Sequence, residues 1–275
     1  MSFLQQITPV VLTWNEAPNI GRTLARLAWA REVVVVDSGS DDATAALVAA
    51  APNARLVTHP FAGQAAQWRF ALEETGIATP WVLRLDADYL LDEALVGEMA
   101  ALSPPPEVAA YRIAFDYAVG GRRLRGSLYP ANSVLFRRGA ARPWQDGHTE
   151  RWEVAGGRVE RLRGRILHDD RKSTAHWLAS QVRYLARERD KLQAPGARLD
   201  RRDRLRRRLW IAPWAVFLWC LFGKGLILQG RAGLAYAYQR LTAETMLALY
   251  LLETGREAPA TDPAPLSPPR DGRRP

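Results

Sequence analysis

Asp86 and Asp88 follow the apolar run Trp81-Val82-Leu83-Arg84-Leu85 and carry the chemistry most directly readable from this chain. Along an extended backbone, residues i and i+2 point the same way, so both carboxylates face one direction where a buried strand would end. Two hard oxygen donors at such a place suit a hydrated divalent cation that carries phosphates. Taken alone, Asp-x-Asp also reads as a solvated acidic turn. Two further polar clusters follow apolar runs, Thr13-Trp14-Asn15-Glu16 and Asp37-Ser38-Gly39-Ser40. At a strand end, Asp37 can accept hydrogen bonds from a base or a ribose. Glu16 is placed either to touch the same ligand or to cap its own helix, with Thr13 lining the pocket. Asp41 and Asp42 read as acids favoured in the first turn of a helix.

The elements that would position these groups alternate. Residues 7–13 read as a strand and 18–30 as a helix with Ile20, Leu24 and Leu27 on one face. The run 33–36 is continuously β-branched, the mark of a strand covered on both faces, and a helix follows through Ala51. A strand over 55–58, a helix over 64–74 and a strand over 81–85 complete an α/β pattern, a mostly parallel Rossmann-like sheet with helices on both faces. Ligands in such sheets bind beyond the carboxyl ends of the strands. No Gly-x-Gly-x-x-Gly follows the first strand and no Gly-Lys-Ser/Thr loop occurs, so a classical dinucleotide fold is disfavoured and phosphate must be held by metal and isolated basic groups. Beyond Ser103-Pro104-Pro105-Pro106 the pattern turns more antiparallel, with strands over 111–117 and 133–137 around Gly120-Gly121. Ser173 is a cap for a helix to about Gln193, and 230–253 reads as another helix. The expected division is 1–172 for the α/β domain (1–102 and 103–172 as its halves), 173–254 as a helical membrane-associating region, and 255–275 as a disordered proline-rich tail.

At 275 residues and 48% hydrophobic content the chain can bury a large core. Its net charge of +9 is concentrated, with Arg198, Arg201, Arg202, Arg204, Arg206, Arg207 and Arg208 running into the aromatic-rich stretch 209–222. A basic block abutting Trp210, Trp214, Phe217 and Trp219 suits an anionic membrane surface better than a nucleic-acid groove, although the same stripe also reads as helix packing. The stretch is shorter than a span and contains Pro213, so it would lie on the bilayer. One cysteine, Cys220, excludes a disulfide framework or a cysteine metal cluster. The start lacks the charged and apolar regions of a signal peptide, which gives the expectation of a cytoplasmic protein, peripheral on the inner face of its membrane through the basic and aromatic block.

Together, Thr13-Trp14-Asn15-Glu16-Ala17-Pro18-Asn19-Ile20, Val35-Val36-Asp37-Ser38-Gly39-Ser40-Asp41-Asp42-Ala43-Thr44 and Leu85-Asp86-Ala87-Asp88 resemble family 2 glycosyltransferases over at least residues 7–92. Asn15-Glu16-Ala17, His148-Thr149-Glu150 and Leu167-His168 are similar to the branch of lipopolysaccharide-core glucosyltransferases. This resemblance implies a GT-A fold, a nucleotide-sugar donor (a UDP-sugar first), a divalent metal (Mg2+ or Mn2+), inversion at the anomeric carbon, and a saccharide or lipid-linked acceptor in cell-envelope glycan synthesis. It implies that Asp37 binds the donor at its base, and Thr13, Asn15 and Glu16, beside it by their place at the first strand end, are the further donor-binding candidates. The resemblance further implies that Asp88 is the direct metal ligand and that Asp86 supports ribose, or the metal through water. By the same resemblance His168 would complete the metal site and Arg171 would hold the diphosphate, while His168-Asp169-Asp170 also reads as a histidine packed at a strand end beside capping acids. Tyr89 departs from the branch, which continues with Glu. Inversion needs a base for the acceptor hydroxyl. Glu150 ranks first, Asp146 second and Glu153 third, each alternatively a surface carboxylate paired with Arg142 or Arg151. Transfer to a polyprenyl phosphate, a catalytically silent membrane scaffold and a nucleotidyltransferase are the competing readings.

Overall fold

The computed structural model describes residues 2–147, 149–196 and 199–253; His148, Arg198 and the proline-rich tail lie outside the described residues. In chain order the strands are β1 (Ile7–Thr13), β2 (Val33–Asp37), β3 (Ala54–Thr58), β4 (Trp81–Asp86), β5 (Tyr89–Leu91), β6 (Val108–Val119), β7 (Arg122–Leu124), β8 (Asn132–Arg137), β9 (Ala141–Asp146), β10 (Thr149–Val154) and β11 (Arg158–His168). The helices are α1 (Ile20–Ala25), α2 (Thr44–Ala49), α3 (Gln64–Glu73), α4 (Glu93–Ala100), α5 (Thr174–Gln193), α6 (Arg201–Arg206), α7 (Ala212–Leu218) and α8 (Gly230–Leu252).

The main sheet has the order β3-β2-β1-β4-β8-β6-β11-β5, with β7 paired to β6. Its first half is parallel, as the alternating pattern requires. β8 then runs antiparallel to both β4 and β6, and β11 runs parallel to β6. Two antiparallel steps restore the direction of β4, so the carboxyl ends of β1, β2, β4, β6 and β11 share one edge. In register along it, Thr13 pairs with Asp37, Leu12 with Asp86, and His168 with Tyr117 and Tyr89.

The β-branched run in β2 is buried on both faces. Val33 and Val35 enter the core under α1 and α2, while Val34 and Val36 enter the core under α3 with the fully buried Trp68. β4 alternates in the same way: Trp81, Leu83 and Leu85 join the first core and Val82 the second. That parity puts Arg84 and Asp86 on the α3 side, where the hairpin β9–β10 lies. Within β10, Trp152 and Val154 pack on the second core, so Glu150 shares their inward face while Arg151 and Glu153 are exposed.

α1 is shorter than the 18–30 helix read from its apolar spacing. Asn19 makes no capping bond; its side chain instead bonds Glu16, Asp170, Arg22 and the Arg171 backbone. Gly120-Gly121 turns β6 into the short β7, and β8 comes later. Ser173 caps α5 as its sequence implies, accepting the His176 N–H.

α8 packs against α5, α7 and the β6–β7 hairpin through Leu124, Leu226, Tyr236 and Ala237. One member of the arginine block is internal, because Arg206 pairs with Glu188 and Glu244, each at 2.9 Å, and ties α6 to α5 and α8. Arg201, Arg202, Arg204, Arg207 and Arg208 stay exposed. Among the described residues no single helix is long and apolar enough to cross a membrane; Ala212–Gly223 and Leu226–Leu252, bent by 67°, meet the requirement only as a pair.

Candidate active site

The loops after β1 and β2 brace each other beyond the shared edge. Asn15 takes positive φ (54°), a conformation that Asn tolerates better than most residues, and its N–H donates to Ser40 Oγ at 2.8 Å while its Oδ1 accepts the Asp41 N–H. The Glu16 and Ala17 N–H groups donate to Thr44 Oγ1 and Asp42 Oδ2. Asp37 is buried and serves its own turn: Oδ2 accepts the N–H groups of Gly39 and Ser40, and Oδ1 accepts the Ser40 hydroxyl. Thr13 Oγ1 lies nearby, buried and without a partner.

Beside this floor stands a buried cluster of three carboxylates, a histidine and a lysine. His168 Nε2 lies 2.9 Å from Asp88 Oδ2, and Lys172 Nζ lies 2.5 Å from Glu16 Oε1. Burial pushes the Asp86 pKa up to about 7, assisted by the charges of Glu150 and Asp88. Glu16 is also pushed up to about 7 by burial, which outweighs Lys172. Burial likewise works against ionised Asp88, but His168 and Lys172 overcome it and hold Asp88 below the usual carboxylate value. Burial also disfavours charge on His168, and Asp88, Asp86 and Asp170 overcome it and raise its pKa. Asp88 therefore stays ionised while Asp86 and Glu16 exchange protons near neutrality.

Around His168 stand the rings of Tyr89, Tyr117 and Tyr129, with centroids 4.7–5.3 Å away. The Tyr89 and Tyr129 hydroxyls bond each other, and burial raises both pKa values well above the ordinary phenol value. Thus Tyr89, which replaces the Glu of the branch, supplies a neutral wall.

Glu150 reaches the same edge from β10. Its Oε1 accepts from Arg84 Nη1 at 3.2 Å, and the buried Arg84 is fixed by the Ser133 carbonyl and the Trp152 ring. Asp146 lies in another setting, paired with Arg151 and, at 3.0 Å, with Lys191 of α5. Glu153 is exposed on the outer face of the hairpin. Arg171 is exposed and pairs with the buried Asp169, which also holds Arg22. The cation that turns toward the carboxylates is Lys172, whose pKa is raised by Glu16, Asp170 and Asp88 against the opposing effect of burial. Sequence reading passed over Lys172 and Arg84. A charged residue inside the apolar run of a central strand was the available signal for Arg84.

The donors present fit a divalent ion that brings other ligands with it. Among the described residues no three His, Cys, Asp or Glu side chains form a metal group by themselves. Asp88 Oδ1 is buried without a hydrogen-bond partner, next to a histidine nitrogen already held at bonding distance from the other carboxylate oxygen. The free Asp88 oxygen is a hard donor that suits Mn2+ or Mg2+, and His168 would add a nitrogen donor only after giving up the proton it shares with Asp88.

Residues 9–160 match the family model described as glycosyl transferase family 2. The chain belongs to that family. Asp37, Asp86, Asp88 and Glu150 lie inside the matched span, while His168 and Lys172 come from beyond it and reach the site because β11 lies beside β5 and β6. A lipopolysaccharide core biosynthesis glycosyltransferase of Rhizobium meliloti, LpsC, is 34% identical over 172 residues, which is 59% of this chain and 62% of the relative. Similar solved structures include S. aureus TarS 1–349 with UDP-GlcNAc (17% identical, 89% of this chain and 81% of that one, TM-score 0.47). Another is the Mycobacterium tuberculosis glucosyl-3-phosphoglycerate synthase with Mn2+, UDP and glucosyl-3-phosphoglycerate (14% identical, 66% and 78%, TM-score 0.41).

The raised carboxylates of this family 2 site predict a pH signature. Asp86 and Glu16 bind protons more tightly folded than unfolded, so their contribution to metal-free stability is complete below the unfolded carboxylate range and is lost as pH rises through about 7. Asp88 works in the opposite sense, its contribution being lost as pH falls below the carboxylate range. Asp86→Asn is therefore expected to raise Tm clearly more at pH 8 than at pH 5, as read by calorimetry in EDTA. An equal shift at both values would contradict the assignment.

Proposed function

We propose that this chain transfers a hexose from a nucleotide sugar, UDP-linked first, with inversion to a hydroxyl of a saccharide or lipid-linked acceptor in bacterial cell-envelope glycan synthesis. The observation that carries the reading is the ionised, buried Asp88 with one unpartnered oxygen and His168 beside it, on the shared strand-end edge of a family 2 chain. The name of the 34% identical relative, lipopolysaccharide core biosynthesis, supports the envelope setting.

In this reading Thr13, Asn15, Glu16 and Asp37 form the donor floor, with Asp37 addressing the base and Asp86 the ribose. Asp88 and His168 would hold Mn2+ or Mg2+, which when bound neutralises the charge of the departing diphosphate. Lys172 adds a fixed positive charge on the same side, closer to the carboxylates than Arg171. Glu150, oriented by Arg84, removes the acceptor proton from the face opposite the leaving group. Asp146 is the second candidate, and its two cations make it the weaker base.

A thermal-shift screen of nucleotide sugars with and without Mn2+ tests the donor. At ligand near 100 Kd the folded state gains about 2.7 kcal/mol, which for a chain of this size raises Tm by roughly 5–10 °C. A flat response to every nucleotide sugar, with and without metal, would remove the reading.

The membrane contact is part of the same proposal, at the inner face of the inner membrane. Trp210 is 87% exposed and Leu228 88%, and Trp214, Trp219, Phe222 and Ile227 are more than half or about half exposed between them. The exposed arginines of α6 precede this patch directly. Partition onto phosphatidylglycerol vesicles is expected to fall at least about tenfold in a Trp210→Ala/Trp214→Ala/Phe222→Ala variant, given the apolar area each ring would bury. Co-sedimentation unchanged by that variant would return these rings to a packing role.

A further inference from the structure

We infer that a cationic cavity behind Tyr129 binds a phosphate or carboxylate group carried by the acceptor saccharide, a substrate class that rests on the transferase reading above. The cavity measures about 280 Å³ and lies between β6, β11, the segment 125–131 and Lys224. Arg125, Arg161, Arg165 and Lys224 line it together with one acid, Asp116.

Its charge is unbalanced by construction. Asp116 is committed to Arg165, at 2.7 Å, and to Arg123. Arg125, Arg161 and Lys224 make no ion pair among the described residues. The backbone brings these cations together. β11 is irregular between Arg161 and Arg165: Arg161 pairs with Arg112 and Arg165 with Ala114, so four steps of one strand match two of the other. The two arginines thereby flank successive same-face positions of β6 instead of standing a position further apart. Glu98 fixes the bulge by accepting the Arg163 and Gly164 N–H groups, and only glycine fits at 164, since a Cβ there would meet Leu95 Cα at 2.5 Å. Lys224 is delivered by the break between α7 and α8. Gln229 Oε1 accepts the Arg125 N–H at 2.8 Å, and Gly126 lies against the Lys224 carbonyl.

Position gives the cavity its meaning. Tyr129 lines it and also contacts the catalytic edge, its hydroxyl on Tyr89 and its ring 4.9 Å from His168. An anion anchored there stands one aromatic ring away from the Asp88–His168 pair. Guanidinium groups match phosphate and carboxylate geometry, and a cavity of this size admits one sugar with its acidic substituent.

The test is a phosphorus-NMR titration of the full chain, in buffer freed of metal by a chelating resin, with inorganic phosphate and glucose 6-phosphate, and a ligand-shift control with neutral glucose. Both anions are expected to bind and glucose not to. Affinity should fall at least tenfold in Arg161→Gln/Lys224→Gln and stay unchanged in Arg158→Gln, which removes one charge at the distant start of β11. The Tm rise with UDP and Mn2+ should be the same in all three proteins, which shows the variants folded and reports the donor site separately. Unchanged anion affinity in the double variant would overturn the assignment. So would loss of binding to phosphatidylglycerol vesicles without any phosphate titration, because the cations would then serve lipid headgroups.

Discussion

Asp88→Asn is expected to lower turnover by about 10²–10³-fold, or ~3–4 kcal/mol of transition-state stabilisation, and to abolish the Mn2+-dependent part of UDP binding. The amide keeps the size of the carboxylate but not its charge. His168 then loses the partner that raises its pKa, and a cation bound beside it would lose the carboxylate that His168 and Lys172 hold ionised. Asparagine removes a charge that burial already opposed, so the folded state is not expected to suffer in proportion. Donor hydrolysis with and without Mn2+, measured beside Tm, separates the two effects. Full metal-dependent turnover in Asp88→Asn would place the metal elsewhere.

The second large effect concerns Glu150 and Arg84, which form one ion pair at 3.2 Å. Glu150→Gln is expected to lower kcat by about 10²–10⁴-fold, the ordinary range for removing a general base, with donor KM little changed. Arg84→Met is expected to cost about 3–5 kcal/mol of stability, the penalty for leaving one member of a buried pair without its partner. Arg84 has only 5% of its side chain exposed and Glu150 15%, so neither charge can turn to water. Loss of rate in Glu150→Gln supports a hydroxyl acceptor. A phosphate acceptor needs little base, so retained rate would shift the reading to the polyprenyl-phosphate alternative and reject Glu150 as base. Glutamine can still accept the Arg84 hydrogen bond, which makes the conservative variant the cleaner probe of proton transfer.

Much of the first half of the chain was legible because its signals are local. The β-branched run of β2, the alternation in β4 and the acids that end them are properties of consecutive residues, and burial on both faces follows from them. The second half was less legible. β11, β5 and β7 carry weak period-2 patterns, and their positions depend on partners many residues away. Asn19 shows the same limit on a small scale, since its side chain serves Glu16, Asp170, Arg22 and the Arg171 backbone rather than its own helix.

The order of elements, the mostly parallel sheet and the strand ends that carry Thr13, Asp37, Asp86 and Asp88 are determined by the sequence itself, because hydrophobic period and strand-terminal polarity are encoded within each segment. Tertiary structure alone decided which distant groups meet those acids. It brought His168 to Asp88, Lys172 rather than Arg171 to Glu16, and Glu150 rather than Asp146 to Arg84. The physical reason is that a charge in a buried cluster takes its proton affinity and its partner from neighbours supplied by strand order and register, which no window of consecutive residues contains.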